Sequence, residues 1–282
     1  SGGHWSFFRD IDPSEYGGGV GRVVFDPDDS ARIFVTSVNP PIHRSIDGGA
    51  HWEDLKIADQ VYVATSLFAW PGGRLLTLTG SGIYRSFDSG DHWQLVSAES
   101  SIHLLAAVSS NPELLFAISA LLHADGSRYD QLVTSSDGGA AWQALPVSSD
   151  SLSIAAIDGS GRTVYVAAYV LATQEISLLR SRDGGQSFTK VFASATAIGP
   201  IVLDPRDPST LYAGMNGLSL STDGGATWRV LGSVPCEIVD LAITPEASEL
   251  HAASRCGEID IRLLEKVGRL PASAEPAKVS RP

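Results

Sequence analysis

The sequence predicts an all-β fold of repeated four-stranded antiparallel units. Three observations predict it: a turn motif that recurs five times at near-constant spacing, a second turn signal upstream of most copies, and short apolar runs around both. Self-similarity at a period of about 20–50 residues is the mark of a repeat architecture. The turn motif is Ser45-Ile46-Asp47-Gly48-Gly49-Ala50-His51-Trp52, and it recurs as Ser86–Trp93, Ser135–Trp142, Ser181–Phe188 and Ser221–Trp228. All five read S-x-D-x-G-x-x-W/F, and the aromatic residues stand 41, 49, 46 and 40 positions apart. Ser1-Gly2-Gly3-His4-Trp5 carries the second half of a sixth copy.

Each element of the unit has a local cause. The glycines of the box permit φ > 0 in a tight turn between the third and fourth strands. The Asp carboxylate and Ser hydroxyl accept hydrogen bonds from the turn's own N–H groups. The aromatic residue then folds against the hairpin and the neighbouring repeat. Upstream, Phe25-Asp26-Pro27-Asp28, Ser110-Asn111-Pro112-Glu113, Leu203-Asp204-Pro205-Arg206 and Thr244-Pro245-Glu246 each separate two short apolar runs, a hairpin signal between the first and second strands. One full unit reads as strands over 61–67, 74–79, 82–87 and 92–96, with the fourth strand starting at the box aromatic. The first two strands are rich in Val, Ile, Leu, Phe and Ala, as sheets buried on both faces require.

Five units read as 18–55, 58–96, 101–145, 151–191 and 196–231. A sixth, Cys236–Leu264, has three strands and no box, while His4–Arg9 supplies a lone fourth strand. Pairing the two makes a closed ring of six blades, a β-propeller without open sheet edges. Seven blades is the alternative if the chain is a fragment, but the two incomplete ends sum to one blade. The propeller spans 1–264 as one domain, and 265–282, rich in Ala, Ser, Pro and charge, reads as a flexible C-terminal tail.

The boxes resemble the Asp-box, or BNR, repeats of β-propellers, most closely the bacterial sortilin-like and glycoside-hydrolase-like members. Related boxes occur in sialidases, xyloglucan-degrading hydrolases, sortilin-type receptors and a photosystem II assembly factor. The resemblance covers residues 1 to about 264 and implies a fold rather than a reaction. It assigns Asp47, Trp52, Asp88, Trp93, Asp137, Trp142, Asp183, Phe188, Asp223 and Trp228 to structural roles. Repetition at blade spacing argues the same way, because a catalytic acid is needed once or twice. The boxes also lack the further oxygen ligands of a calcium loop, so no metal and no cofactor is expected.

Propellers place ligands on the face carrying the loops between fourth and first strands and between second and third strands, by analogy of fold. Two such loops stand out. One holds Arg9, Asp10, Asp12, Glu15 and Tyr16; the other holds His123, Asp125, Arg128, Tyr129 and Asp130. Asn39-Pro40-Pro41, Asp59-Gln60, Gln174-Glu175, Asn216 and Arg255 are smaller contributors. Rigid scaffolds concentrate binding residues on such loops. Asp10, Asp12, Glu15, Asp125 and Asp130 could form a glycosidase pair if held about 5 to 9.5 Å apart. Against an enzyme, Phe8-Arg9-Asp10-Ile11 only poorly echoes the sialidase Arg-Ile-Pro stretch, and no arginine triad is legible. Arg44, Arg85 and Arg180 each precede a box Ser, but Thr134 and Leu220 take that place elsewhere, so they read as a structural position.

The chain has 282 residues, 43% hydrophobic and 18% charged, so a packed core is expected. Its formal net charge of −12 and the lack of a basic stripe exclude nucleic-acid backbones as partners. No apolar run approaches the length of a transmembrane helix. The two cysteines, Cys236 and Cys256, fall opposite each other if a hairpin turns near 245–246, making them a disulfide candidate worth about 3 kcal/mol. A disulfide favours a secreted or periplasmic home. The expected function is therefore an extracytoplasmic recognition or scaffold module, monomeric, binding a protein, peptide or glycan. A glycoside hydrolase and an assembly factor for a membrane complex are the alternatives.

Overall fold

The computed structural model describes residues 22–262, apart from 38, 39, 60, 62, 196, 197, 216, 233–235, 245 and 256. The expected closing strand His4–Arg9 and the expected tail 265–282 lie outside the described residues. The chain divides into two compact units, Ser1–Ser148 and Ser149–Pro282. No helix occurs among the described residues.

The first unit holds three sheets, each a four-stranded antiparallel meander. They are β1 (Val23–Phe25), β2 (Ile33–Thr36), β3 (Ile42–Ser45) and β4 (Glu53–Leu55); β5 (Ala64–Trp70), β6 (Arg74–Thr79), β7 (Gly82–Ser86) and β8 (Gln94–Ser97); and β9 (Ile102–Val108), β10 (Asn111–Leu122), β11 (Arg128–Ser135) and β12 (Gln143–Ser149). The second unit holds two more: β13 (Ser151–Ile157), β14 (Val164–Val170), β15 (Glu175–Ser181) and β16 (Thr189–Ser194); and β17 (Ile201–Asp204), β18 (Asp207–Gly214), β19 (Leu218–Ser221) and β20 (Arg229–Gly232). A three-stranded sheet follows, β21 (Ile238–Ile243), β22 (Glu249–Ser254) and β23 (Gly257–Arg262).

Fourth strands begin one residue after the box aromatic in all five copies, not at it as the sequence reading expects. The physical reason is visible in two copies. The indole N–H of Trp52 donates to Gly49 O and that of Trp228 to Gly225 O, each at 3.0 Å, so the aromatic residue belongs to the turn.

The core lies between consecutive sheets. Successive side chains of a strand point to opposite faces, so each second strand feeds two clusters. Leu75 packs with Phe34, Ile42 and Leu55 of the preceding sheet, whereas Leu76 packs with Ile102, Leu105 and Leu115 of the next. In the second unit Leu211 faces Tyr165 and Leu178, while Tyr212 faces Ile238, Leu241 and Leu250. Burial on both faces explains the near-continuous apolar runs of these strands.

The boxes share one geometry. The Ser hydroxyl donates to Asp Oδ1 at 2.7–2.9 Å and accepts the N–H of the second glycine position at 2.8–2.9 Å. Asp Oδ1 accepts the N–H just before the aromatic residue at 2.9–3.0 Å. The turn is then hooked to the first hairpin of its own sheet by Gly48 N–H to Ala31 O, Ser89 N–H to Gly73 O, Gly138 N–H to Glu113 O, Gly184 N–H to Arg162 O and Gly224 N–H to Ser209 O.

Arg44, Arg85 and Arg180 explain themselves here. Each guanidinium reaches the box of the next sheet in its own unit: Arg44 donates to Ser89 O (2.7 Å), Arg85 to Gly138 O (2.9 Å) and Arg180 to Gly224 O (2.8 Å). They clamp neighbouring sheets together at the box end.

The box carboxylates are held in their charged form. The His51 backbone N–H lowers Asp47 below the carboxylate range, the His92 N–H brings Asp88 to about 2, and the Ser187 and Thr227 hydroxyls bring Asp183 and Asp223 to about 2. A carboxylate with a depressed folded pKa contributes stability that is complete above its unfolded value near 4 and disappears as pH falls through the folded value. Acid titration followed by tryptophan fluorescence should therefore show native signal retained at pH 4 to 5 and lost toward pH 2. Unfolding already complete at pH 4 would contradict this.

Candidate functional site

The register separates the two ends of each sheet. In the third sheet the loop 123–127 precedes β11 and the box follows it, so the eight residues of β11 set them roughly 25 Å apart. Polar groups at the box end are used internally. Candidate binding groups are sought at the other end, within each unit.

In the first unit the His123 and Tyr129 rings stack, with centroids 4.2 Å apart and planes at 27°. His123 N–H donates to Ser127 O, and Gly126 N–H donates to His123 O. Asp125 Oδ1 accepts from the Ser127 hydroxyl (2.6 Å) and N–H (2.9 Å), and those two bonds lower its pKa. Asp125 therefore builds the loop. Asp130 is buried, 3.5 Å from Arg128 Nη2 and 3.7 Å from His103 Nε2. His103 is the extra residue of a β-bulge in β9, between the pairs Ile118↔Leu104 and Ser119↔Ile102. A bulge re-aims a side chain. Periodicity in β9 gave no hint of His103, because the bulge breaks the alternation. Arg9, Asp10, Asp12, Glu15 and Tyr16 lie outside the described residues.

A different constellation in the same unit escaped sequence reasoning. His43 Nε2 lies 2.9 Å from Ser37 Oγ, and its Nδ1 lies 2.9 Å from Asp54 Oδ1. The distances are those of a Ser-His-Asp relay. The exposures are reversed: Ser37 is 6% exposed and the Asp54 side chain 65%, whereas a nucleophile must be open and its orienting carboxylate shielded. Ser37 Oγ also donates to Pro40 O at 2.8 Å. The relay ties Ser37 and Pro40 to His43 of β3. The position two residues before the box Ser does the same elsewhere: Tyr84 Oη lies 3.4 Å from Ser81 Oγ, and Ser219 Oγ donates to Met215 O at 2.9 Å. The available signal was a polar residue recurring two positions before the box Ser, as His43, Tyr84 and Ser219, where the other two copies carry Val133 and Leu179.

In the second unit an open groove of about 410 Å³ runs across the first strands of three consecutive sheets. Ser153, Ile154 and Ala155 of β13 line it, with Ile198 to Ile201 leading into β17, and Val239, Asp240 and Leu241 of β21. β13 and β21 each bulge there, between Ile154 and Ala156 and between Ile238 and Asp240. Small residues, Gly199, Pro200 and Ala167, keep it open. Val239 is half-exposed, and Asp240 is the charged lining residue. Arg255 stands beside the start of β21, one residue past the pair Ile238↔Ser254, and its Nε donates to Glu237 Oε2 at 2.7 Å. The Glu237 carboxylate raises the Arg255 pKa, and neither residue lines the groove. Cys236, just upstream, is disulfide-bonded; Cys256, the other half of the expected pair, lies outside the described residues.

Among the described residues every carboxyl group with a resolved shift moves down: Asp47, Asp59, Asp88, Asp125, Asp137, Glu175, Asp183, Asp207 and Asp223. A glycosidase general acid needs the opposite shift.

No family model and no curated protein matches the chain. Its fold matches solved structures. YCF48 bound to D1 peptide superposes with a TM-score of 0.65 at 17% identity, over 88% of this chain and 79% of that one. YCF48 from Cyanidioschyzon merolae gives 0.59 at 12% identity, over 87% and 95%. Puromycin hydrolase gives 0.62 at 12%, over 83% of this chain and 43% of that one. These are β-propeller proteins, and the all-β meanders described above are propeller blades. At these identities the likeness is one of fold.

Proposed function

We propose that the chain is an extracytoplasmic recognition module of the Asp-box propeller kind, which binds an extended peptide segment carrying one basic residue among small apolar ones. The observation that carries the reading is the groove across the first strands β13, β17 and β21, which no box residue lines. Its volume is within the range of ligand sites, which is about 300–1,000 Å³. Half-exposed Val239 and partly buried Ile198 offer apolar contact, the extra residues Ala155 and Val239 interrupt the main-chain pairing of β13 and β21, and Asp240 offers one negative charge. The chain's net charge of −12 favours a basic partner. Disulfide-bonded Cys236 supports an oxidising compartment. A peptide-bound neighbour of the same fold lends the class of ligand, not its sequence.

The test is an array of labelled twelve-residue peptides that varies one central residue among Lys, Arg, Ala and Glu. Lys- or Arg-centred peptides should bind. Asp240→Asn should weaken them about 1.5- to fivefold, the scale of an exposed charge pair, and Val239→Asp should weaken them more than tenfold. Turnover of chromogenic glycosides, with no peptide bound, would replace this reading with a hydrolase.

A further inference from the structure

Beyond a general preference for basic peptides, we infer that the groove selects a lysine side chain, a primary ammonium, over an arginine, and that Ser153 and Asp240 together make the choice. Lysine selectivity presupposes the peptide reading of the groove. It concerns the two polar side chains that line it.

Asp240 is the one ionisable residue of the lining. Its carboxylate is partly engaged. Oδ1 accepts the N–H of Leu241 at 2.9 Å, which leaves Oδ2 as the oxygen with no protein partner among the described residues. The bulge at Val239 shifts the alternation of β21 by one place, so Asp240 stays exposed beside buried Leu241. A guanidinium gains its advantage over an ammonium by a fork, two parallel N–H bonds to the two oxygens of one carboxylate. Here one prong of the fork would compete with the Leu241 N–H. An ammonium needs no fork. Its three N–H groups turn about a single nitrogen and take single acceptors in different directions.

Ser153 is the second acceptor. It is exposed in β13, its cross-strand neighbour in β14 is the small Ala167, and its hydroxyl makes no hydrogen bond among the described residues. A serine oxygen offers two lone pairs. β17 packs between β13 and β21, so Ser153 and Asp240 flank the segment Gly199 to Ile201 from its two sides. Ile154, Ile198 and Val239 line the same groove. The methylene stem of a lysine lies against such apolar surface while its charged head reaches polar groups.

The test is a binding titration of the full chain with the Lys-centred peptide of the array and with the same peptide carrying Arg, Nε-trimethyl-lysine or Ala at the centre. The trimethyl form keeps the charge and has no N–H to donate. Lysine should bind about two- to tenfold tighter than arginine, the worth of one hydrogen bond, and trimethyl-lysine should fall to the arginine level or below. Ser153→Ala should weaken the lysine peptide by about the same two- to tenfold and leave the trimethyl-lysine peptide unchanged. A substitution that merely distorted the groove would move both. Arginine binding as tightly as lysine, or Ser153→Ala weakening the two lysine forms equally, would overturn the ammonium selectivity and leave the peptide reading in place. All of these peptides binding alike, or none binding, would remove the peptide reading and the selectivity with it.

Discussion

Ser86→Ala is expected to destabilise the first unit by roughly 2–4 kcal/mol in urea unfolding. The hydroxyl is 1% exposed and carries three bonds: it donates to Asp88 Oδ1 at 2.8 Å and accepts from the N–H groups of Asp88 at 3.3 Å and Gly90 at 2.9 Å. Alanine removes the acceptor without admitting water, so the buried Gly90 N–H is orphaned at a cost of about 1–3 kcal/mol, and Asp88 loses the hydroxyl that donates to it, one of the bonds that keep it ionised. The matched control is Ser136→Ala, at the exposed second position of the third box, which should change stability by less than about 0.5 kcal/mol. If Ser86→Ala were as mild as that control, the box would not be what holds the turn.

Gly138→Ala should cost about as much, for a different reason. Gly138 has φ of +71°, where a non-glycine residue is strained by roughly 1–2 kcal/mol. Its Cβ would also stand 1.3 Å from Arg85 Nη2 and 2.6 Å from Glu113 Oε2. The guanidinium would have to leave both Gly138 O and Glu113, and hydrogen bonds to charged groups are worth about 1.5–3 kcal/mol. Gly48 has the same backbone conformation, φ +75°, with open space around its Cβ. Gly48→Ala should therefore show the conformational cost alone, about 1 kcal/mol. In an Arg85→Ala background Gly138→Ala should fall to the Gly48 level, because the clamp it disturbs is already gone. Equal costs with and without Arg85 would show that the arginine does not bind the two sheets.

Particular residues show how far the sequence reaches. The box was legible because its chemistry is local: Ser45, Asp47 and Gly49 lie within five positions, and their hydrogen bonds close inside the turn. Burial of the second strands was legible for the same reason, since Leu75 and Leu76 in succession demand two apolar faces. What Arg44, Arg85 and Arg180 do was not legible. Their partners lie 43 to 53 positions away on the next sheet, and only packing brings them together. Asp125 looked like a binding carboxylate, yet Ser127, two positions on, occupies it. The groove has no motif because bulges at Ala155 and Val239 and the absence of side chain at Gly199 make it. Absence of a side chain in one strand and an extra residue in another leave little periodic trace.

The central claim is a division of labour within the sheets: boxes hold the scaffold, and the first strands bind. The most direct measurement is a hydrogen-exchange footprint of the chain with and without a saturating Lys-centred peptide from the array. Protection confined to 153–155, 198–201 and 239–241, with the box turns 45–52, 86–93 and 221–228 unchanged, is the result the account expects. Protection centred on the box turns, with the inner-strand groove untouched, would contradict it.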